Sequence, residues 1–275
     1  MTALLGYATN NPATLTTVRT YFKNVPIVVP VGGRSVVTFK VTGRTWAETA
    51  AGLSDSVLAL RAAEALAQRD HIHSIGFWHE ADNGGLNSSF GTAADYVAAF
   101  RYVRAYFIGA GVNLPWNCIL MGTSYSATSS GGWYPGNPYT DFVGVDCYDW
   151  SNSSSNGGFC TPAGGHKSFQ NVSQGALDFA NGKGKPLLVG ETGTCARTDS
   201  SETYRASWVT AMGAYLKTQP TIEVLCYYNQ DNSPTGTNWL LAGASQTAFR
   251  ALAADPYFAD HPSRLAAGIP LELAV

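Results

Sequence analysis

Short apolar runs recur along the chain with room for a covering helix between most of them, and this alternation constrains the fold more than any other feature. Runs of strand character lie at Leu4–Ala8, Pro26–Val31, Val36–Val41, Ile72–Trp78, Asn117–Gly122, Phe142–Tyr148, Pro186–Gly190 and Ile222–Tyr228. Strands that alternate with amphipathic stretches build a parallel sheet covered by helices. Eight of them close a (β/α)8 TIM barrel, and 275 residues suit one such domain. The expected architecture is α/β, a single barrel domain over residues 1–275.

Thr45–Asp70, Ala93–Gly111 and Glu202–Thr218 read as helices. In the second, Tyr96, Phe100, Val103 and Phe107 recur every three or four residues and form one apolar stripe for the sheet. Gly109 and Gly111 then end it. In the third, Tyr204, Trp208 and Met212 share a side. The stretch Trp150–Lys167 is rich in Ser, Asn and Gly and follows the sixth predicted strand. At the C-terminal rim of a barrel it is either a wall of the cleft or an inert insertion. No internal repeat or linker divides the chain.

Only 13% of residues are charged, the formal net charge is −2 and no Lys/Arg cluster exists, so nucleic acid is not an expected partner. No apolar run reaches membrane-spanning length, so no membrane is expected either. The N-terminus has no basic region followed by an apolar segment, hence no signal peptide in this chain. An extracellular or virion-associated location therefore implies trimming, lysis or attachment to a particle. Oligomeric state is left open.

Five cysteines lack any C-x-x-C spacing, which argues against a zinc or redox motif. Cys118, Cys147 and Cys226 lie in strand-like runs and read as small buried residues. Cys160 and Cys195 fall in loops after two successive strands, where a disulfide is open to them. His71 and His73 read as structural histidines, with no third ligand nearby in sequence. No metal and no cofactor is expected.

Two glutamates each sit just past a strand-like run, in Gly76-Phe-Trp-His-Glu-Ala-Asp82 and Lys185-Pro-Leu-Leu-Val-Gly-Glu-Thr-Gly193. Hydrolysis of a glycosidic bond needs two carboxyls, one to protonate the leaving oxygen and one to attack or stabilise the oxocarbenium-like centre. Glu80 and Glu191 at the C-terminal ends of different barrel strands supply that pair. In a strand Trp78 and Glu80 share one face and His79 takes the other, unless the backbone bends at the strand end. Gly190 and Gly193 clear space around Glu191. A nucleophile stays ionised when donors hold it; Tyr148 is the first candidate and His79 the second. Leaning over one mouth, the two carboxyl groups would stand about 5–5.5 Å apart, the spacing of retention.

Other motifs fall short. Gly122-Thr-Ser-Tyr-Ser126 ends in Ser where a nucleophile elbow needs Gly. His79-Glu80-Ala-Asp-Asn83 lacks the second His of a zincin helix. Asn87-Ser-Ser, Asn152-Ser-Ser and Asn171-Val-Ser fit the glycosylation pattern, which matters only in a eukaryotic secretory route. Aromatics make up 12% of the chain, and Trp78, Trp133, Tyr134, Trp150, Tyr228 and Trp239 are either core residues or walls of a sugar-stacking groove. Lys40 either reaches a sugar hydroxyl or lies as a buried-stem surface lysine.

The segments His79-Glu80, Trp133-Tyr-Pro-Gly-Asn-Pro-Tyr-Thr-Asp-Phe-Val-Gly-Val-Asp-Cys-Tyr148 and Lys185-Pro-Leu-Leu-Val-Gly-Glu191 together resemble glycoside hydrolase family 26. Val36-Val-Thr-Phe-Lys40 and Cys118-Ile-Leu-Met-Gly122 resemble strands three and five of its bacterial members, and the likeness spans about residues 26–240. The resemblance implies a clan A (β/α)8 retaining enzyme, of a family made mostly of endo-β-mannanases with some β-glucan and xylan hydrolases. It implies Glu80 as acid/base, Glu191 as nucleophile, His79 in the subsite of the distorted sugar and Tyr148 beside the nucleophile. Two departures touch the walls that read the sugar. Glu80-Ala-Asp-Asn-Gly-Gly-Leu86 lacks the aromatic that mannanases carry there, and Tyr227-Tyr228-Asn229 replaces the usual Trp of the eighth strand, with Trp239 following later.

The expected function is retaining hydrolysis of a β-linked polysaccharide, β-mannan or a related β-glycan, cut internally. A different class stands beside it: a carbohydrate-binding or structural protein of a phage particle or cell surface that keeps the barrel and hydrolyses little. Polysaccharide or oligosaccharide is the partner in both.

Overall fold

The computed structural model describes residues 5–8, 35–41, 43–149, 167–196, 202–231, 238–258 and 272–274. Its strands are β1 (Leu5–Ala8), β2 (Ser35–Phe39), β3 (Ile72–Phe77), β4 (Trp116–Met121), β5 (Phe142–Asp149), β6 (Leu187–Thr194), β7 (Ile222–Tyr227) and β8 (Glu272–Ala274). All seven ladders are parallel and the strands follow chain order across one sheet. The six strands β2–β7 form a curled body, with the short β1 and β8 at its two edges. Pro26–Val31 lies outside the described residues. The eighth strand among the described residues is Glu272–Ala274, a three-residue run too short to stand out in the sequence.

The covering helices are α1 (Trp46–Ala50), α2 (Asp55–Ala67), α3 (Gly84–Asn87), α4 (Ala93–Gly109), α5 (Phe169–Lys183), α6 (Thr203–Leu216) and α7 (Gly243–Ala254). The single helix expected over Thr45–Asp70 is two. Gly52 takes a left-handed φ of 82°, and Leu53 N–H bonds back to the Glu48 carbonyl at 3.1 Å, which turns the chain before α2 begins. Reciprocal capping boxes start α1 at Thr45 with Glu48, and α4 at Thr92 with Asp95. The α5 and α7 helices were not distinguished in the sequence.

Side chains alternate between two apolar layers, as the period of a strand requires. Leu187 and Val189 of β6 and Val143 and Val145 of β5 face the helices. Leu188, Phe142, Val36, Ile119, Val224 and Cys226 form the layer enclosed by the sheet. On α4 the stripe Tyr96, Phe100, Val103 and Phe107 is fully buried; each such side chain contributes roughly 1.5–3 kcal/mol relative to exposure. Phe107 stacks on Phe39 of β2 at 5.3 Å. Cys118, Cys147 and Cys226 are buried. Cys195 is disulfide-bonded, while Cys160, its expected partner, lies outside the described residues. No helix among the described residues is long and apolar enough to cross a membrane.

Candidate active site

Both glutamates reach the C-terminal end of the sheet through breaks in strand alternation. In β6 the register slips at Gly190: Val145 pairs with Val189, but Asp146 pairs with Glu191. The extra residue is a bulge, and it moves Glu191 from the helix side, which Val189 occupies, to the enclosed side. A Cβ at Gly190 would lie 2.7 Å from Asp146 Oδ1 and 2.8 Å from Ile119 Cδ1, so only glycine fits this bulge without displacing its neighbours.

After β3 the break is a dihedral one. Trp78 and Glu80 have φ of 57° and 51°, a left-handed conformation that costs about 1–3 kcal/mol for each non-glycine residue. Partners from both neighbouring strands hold it. Trp78 N–H donates to the Phe39 carbonyl at 2.9 Å and Glu80 N–H to the Ile119 carbonyl at 2.9 Å. Asn87 closes the turn, donating from Nδ2 to the Glu80 carbonyl at 2.6 Å and accepting the Trp78 indole N–H at 3.0 Å.

The backbone thus bends at the strand end, and the shared face that an unbroken strand would give Trp78 and Glu80 is lost. Trp78 turns outward against Trp46 and Phe90, with centroids at 5.5 and 4.4 Å, while His79 turns inward. Its Nδ1 lies 3.4 Å from Thr38 Oγ1, and a ring nitrogen lies within 4.8 Å of carboxylate oxygens of Asp146 and Glu191.

Glu191 is buried, and burial pushes its pKa up to about 7. The Tyr148 hydroxyl donates to Glu191 Oε2, which favours the ionised form and opposes that shift. Tyr148 is itself backed by Trp239 at 4.7 Å and by Tyr228 at 6.1 Å, edge-on. Burial also lowers His79 to about 3, with Lys40 adding to the effect, so the imidazole is neutral across the working range. Lys40 is lowered by burial, and the charges of Glu80 and Asp146 hold it up. Glu80 thus shares its surroundings with Lys40, Asp146 and Tyr148. Its Oε2 accepts from Asn83 Nδ2 at 3.3 Å. Asp82 grips the adjacent strand, accepting Met121 N–H through both oxygens at 3.1 and 3.0 Å.

The structure thus gathers Glu80, Glu191, His79 and Tyr148, with Tyr228 and Trp239 behind Tyr148. Trp78, Trp133 and Tyr134 are taken up by packing elsewhere. Trp78 is 1% exposed and Trp239 2% exposed, so neither offers an open ring face, because one seals the outer core and the other backs Tyr148. Trp133 packs on Trp46 and Tyr96 at 5.7 and 5.8 Å. Tyr134 packs on Phe179 at 5.2 Å and its hydroxyl donates to Asn137 Oδ1. Both belong to the loop before β5 and its packing on the helices. Trp150 lies outside the described residues. His73 is buried against Phe142 at 5.0 Å. Nothing is described of the His71 side chain.

Asp146 is the site residue that sequence reasoning passed over. It is 4% exposed, neither carboxylate oxygen has a hydrogen bond of ordinary geometry, and its pKa is driven well above the usual carboxylate range by burial and then by Glu80 and Asp82. The Glu191 backbone N–H offsets this only in part. A signal was present: an acid in the middle of an apolar strand, two residues before Tyr148 and on its face.

No protein-family model matches the chain. Endoglucanase H of Acetivibrio thermocellus is 26% identical over 156 residues, a match that takes in 55% of this chain and only 16% of that protein's length. Among solved structures, a GH26 β-mannanase from Bacteroides ovatus superposes with a TM-score of 0.60 at 15% identity, over 88% of this chain and 73% of that one. An endo-β-1,4-mannanase from Cellulomonas fimi gives 0.59 at 21% identity, over 89% and 58%. GH26C from Muricauda sp. gives 0.61 at 14% identity, over 92% and 77%. The chain shares the fold of these family 26 structures.

Proposed function

We propose that the chain is a retaining glycoside hydrolase of the family 26 type, a single closed (β/α)8 domain that cuts a β-linked polysaccharide internally. The observation that carries this reading is the convergence of two glutamates from β3 and β6 on one pair of neighbours. Tyr148 is hydrogen-bonded to Glu191 and feels the charge of Glu80, and Asp146 adjoins both. Two carboxyls that share such neighbours suit double displacement.

In the first step Glu191 attacks the anomeric carbon while Glu80 gives its proton to the departing glycosidic oxygen, leaving a glycosyl ester. In the second, Glu80 takes a proton from water, the water oxygen attacks the same carbon, and the ester bond to Glu191 breaks. Neutral His79 meets a sugar hydroxyl without adding charge. By their names the relative is an endoglucanase and the Bacteroides ovatus and Cellulomonas fimi neighbours are β-mannanases, and a β-glycan is the substrate class proposed here. Action outside the cell or on a virion is the matching location.

Glu80→Gln and Glu191→Gln should each lower the rate on the best β-glycan by at least ~10³-fold with folding unchanged by circular dichroism. An activated 2-fluoro glycoside should label Glu191. A normal rate in either variant ends the assignment. The burial of Trp78 and Trp239 favours one competing reading, a carbohydrate-binding or structural protein, for which sugar would bind with no turnover on mannan, mixed-linkage glucan or xylan.

A further inference from the structure

We infer that His79, Asp146 and Glu191 form a binding site for a borderline divalent cation of the Zn²⁺ type, and that the bound cation closes the cleft to substrate. One ligating atom from each residue lies within 4.8 Å of the other two. Three points so spaced all lie within 4.8/√3, or about 2.8 Å, of a common centre. Side-chain shifts of roughly 0.7 Å then bring them to the ~2.0–2.2 Å of zinc–nitrogen and zinc–carboxylate bonds.

Asp146 points to a ligand independently of that spacing. It is 96% buried by its 4% exposure, neither oxygen has a hydrogen bond of ordinary geometry, and one of them is aimed into this cluster. Buried carboxylates left in this state are costly unless something pairs with them. One imidazole with two carboxylates is a donor set for zinc and its first-row neighbours rather than for calcium, which takes six or more oxygens. Thr38, 3.4 Å from His79 Nδ1, gives the kind of outer contact that orients a ligating ring. Lys40, whose charge reaches Asp146 and His79, opposes the cation and moderates its affinity.

The blocking half of this inference rests on the hydrolase reading: a carboxylate whose lone pair is held by a metal cannot attack an anomeric carbon. The binding half does not rest on it. Untagged protein, stripped by chelation, is titrated with Zn²⁺ by calorimetry and with Co²⁺ by visible absorption. One saturable ion per chain is expected, weakened at least ~10-fold in Asp146→Asn and in His79→Ala, with one ion still bound by Glu80→Gln. Circular dichroism verifies that each variant is folded. No saturable binding, or binding unchanged in both ligand variants, overturns the site. Zn²⁺ should inhibit turnover of a β-glycan competitively, and uninhibited turnover with the ion bound overturns the block. A chain that binds one ion and hydrolyses nothing keeps the site and loses the hydrolase reading; a hydrolase that binds none does the reverse.

Discussion

Replacing Tyr148 with Phe removes one oxygen and leaves the ring that packs on Trp239 and Tyr228. What is lost is the hydrogen bond to Glu191 Oε2. A hydrogen bond to a charged group contributes about 1.5–3 kcal/mol, and 1.36 kcal/mol is one pKa unit, so the phenol holds Glu191 about 1–2 units below where it would otherwise stand. With the phenol in place Glu191 stands at about 7. The wild-type acid limb of kcat/KM should therefore fall near pH 7, and the variant's about 1–2 units higher. The nucleophile works only when ionised, so activity is lost as pH falls through the limb. At pH 7 the ionised fraction drops from about one half to between about one hundredth and one tenth, a loss of roughly 5–50-fold. Well above both limbs that part of the loss vanishes, and any residue measures lost positioning. The assay is kcat/KM from about pH 5 to 10.5 on a soluble β-glycan or aryl glycoside. A limb in the same place in both proteins would refute the claim that this phenol sets the charge of Glu191.

Asp146→Asn should stabilise the fold. The acid's folded pKa is raised, so its ionisation weakens the fold increasingly as pH rises above 3.8, and the variant's gain in urea midpoint should grow from pH 4 to 8, reaching on the order of 1–3 kcal/mol. A flat difference across that range speaks against a strained carboxylate. Gly190→Ala puts a Cβ into Asp146 and Ile119; a loss of about 1–3 kcal/mol together with most of the activity is expected, and a neutral result would mean the bulge relaxes. Arg205, 1% exposed, pairs with Glu202 at 3.0 Å and donates to the Trp239 carbonyl at 2.8 Å. Arg205→Ala should cost about 3–5 kcal/mol in chemical denaturation, whereas a change below about 1 kcal/mol would show the pair to be dispensable.

Much of the scaffold was legible because strands β3 to β7 are apolar runs bounded by Pro, Gly or polar residues. The short run Glu272–Ala274 was not, since three residues carry no periodicity. The helix over Thr45–Asp70 was read too long because the pattern on either side of Gly52 continues and only the glycine's left-handed turn divides it. In the site, Glu80 and Glu191 stood out as acids at strand ends, and the Tyr148 contact followed from its place in the next strand. Orientation did not follow. Alternation assigns His79 to the wrong face, because Trp78 leaves the β region, and it assigns Glu191 to the helix side, because the Gly190 bulge is invisible in a string of letters. Aromatic richness was equally mute: Trp78, Trp133 and Tyr134 are spent on packing, and nothing in their spacing separates that use from a sugar platform.

The left-handed pair at Trp78 and Glu80 is kept by carbonyls that belong to Phe39 and Ile119, on other strands. Chemistry and melting should then part company on warming. A slight loosening of the seam between β3 and its neighbours lets the turn relax and swings the acid away while every helix is intact. Heat would silence such a protein some degrees before spectroscopy registers unfolding. Selection for heat tolerance would gain more from tightening that seam than from enlarging the interior.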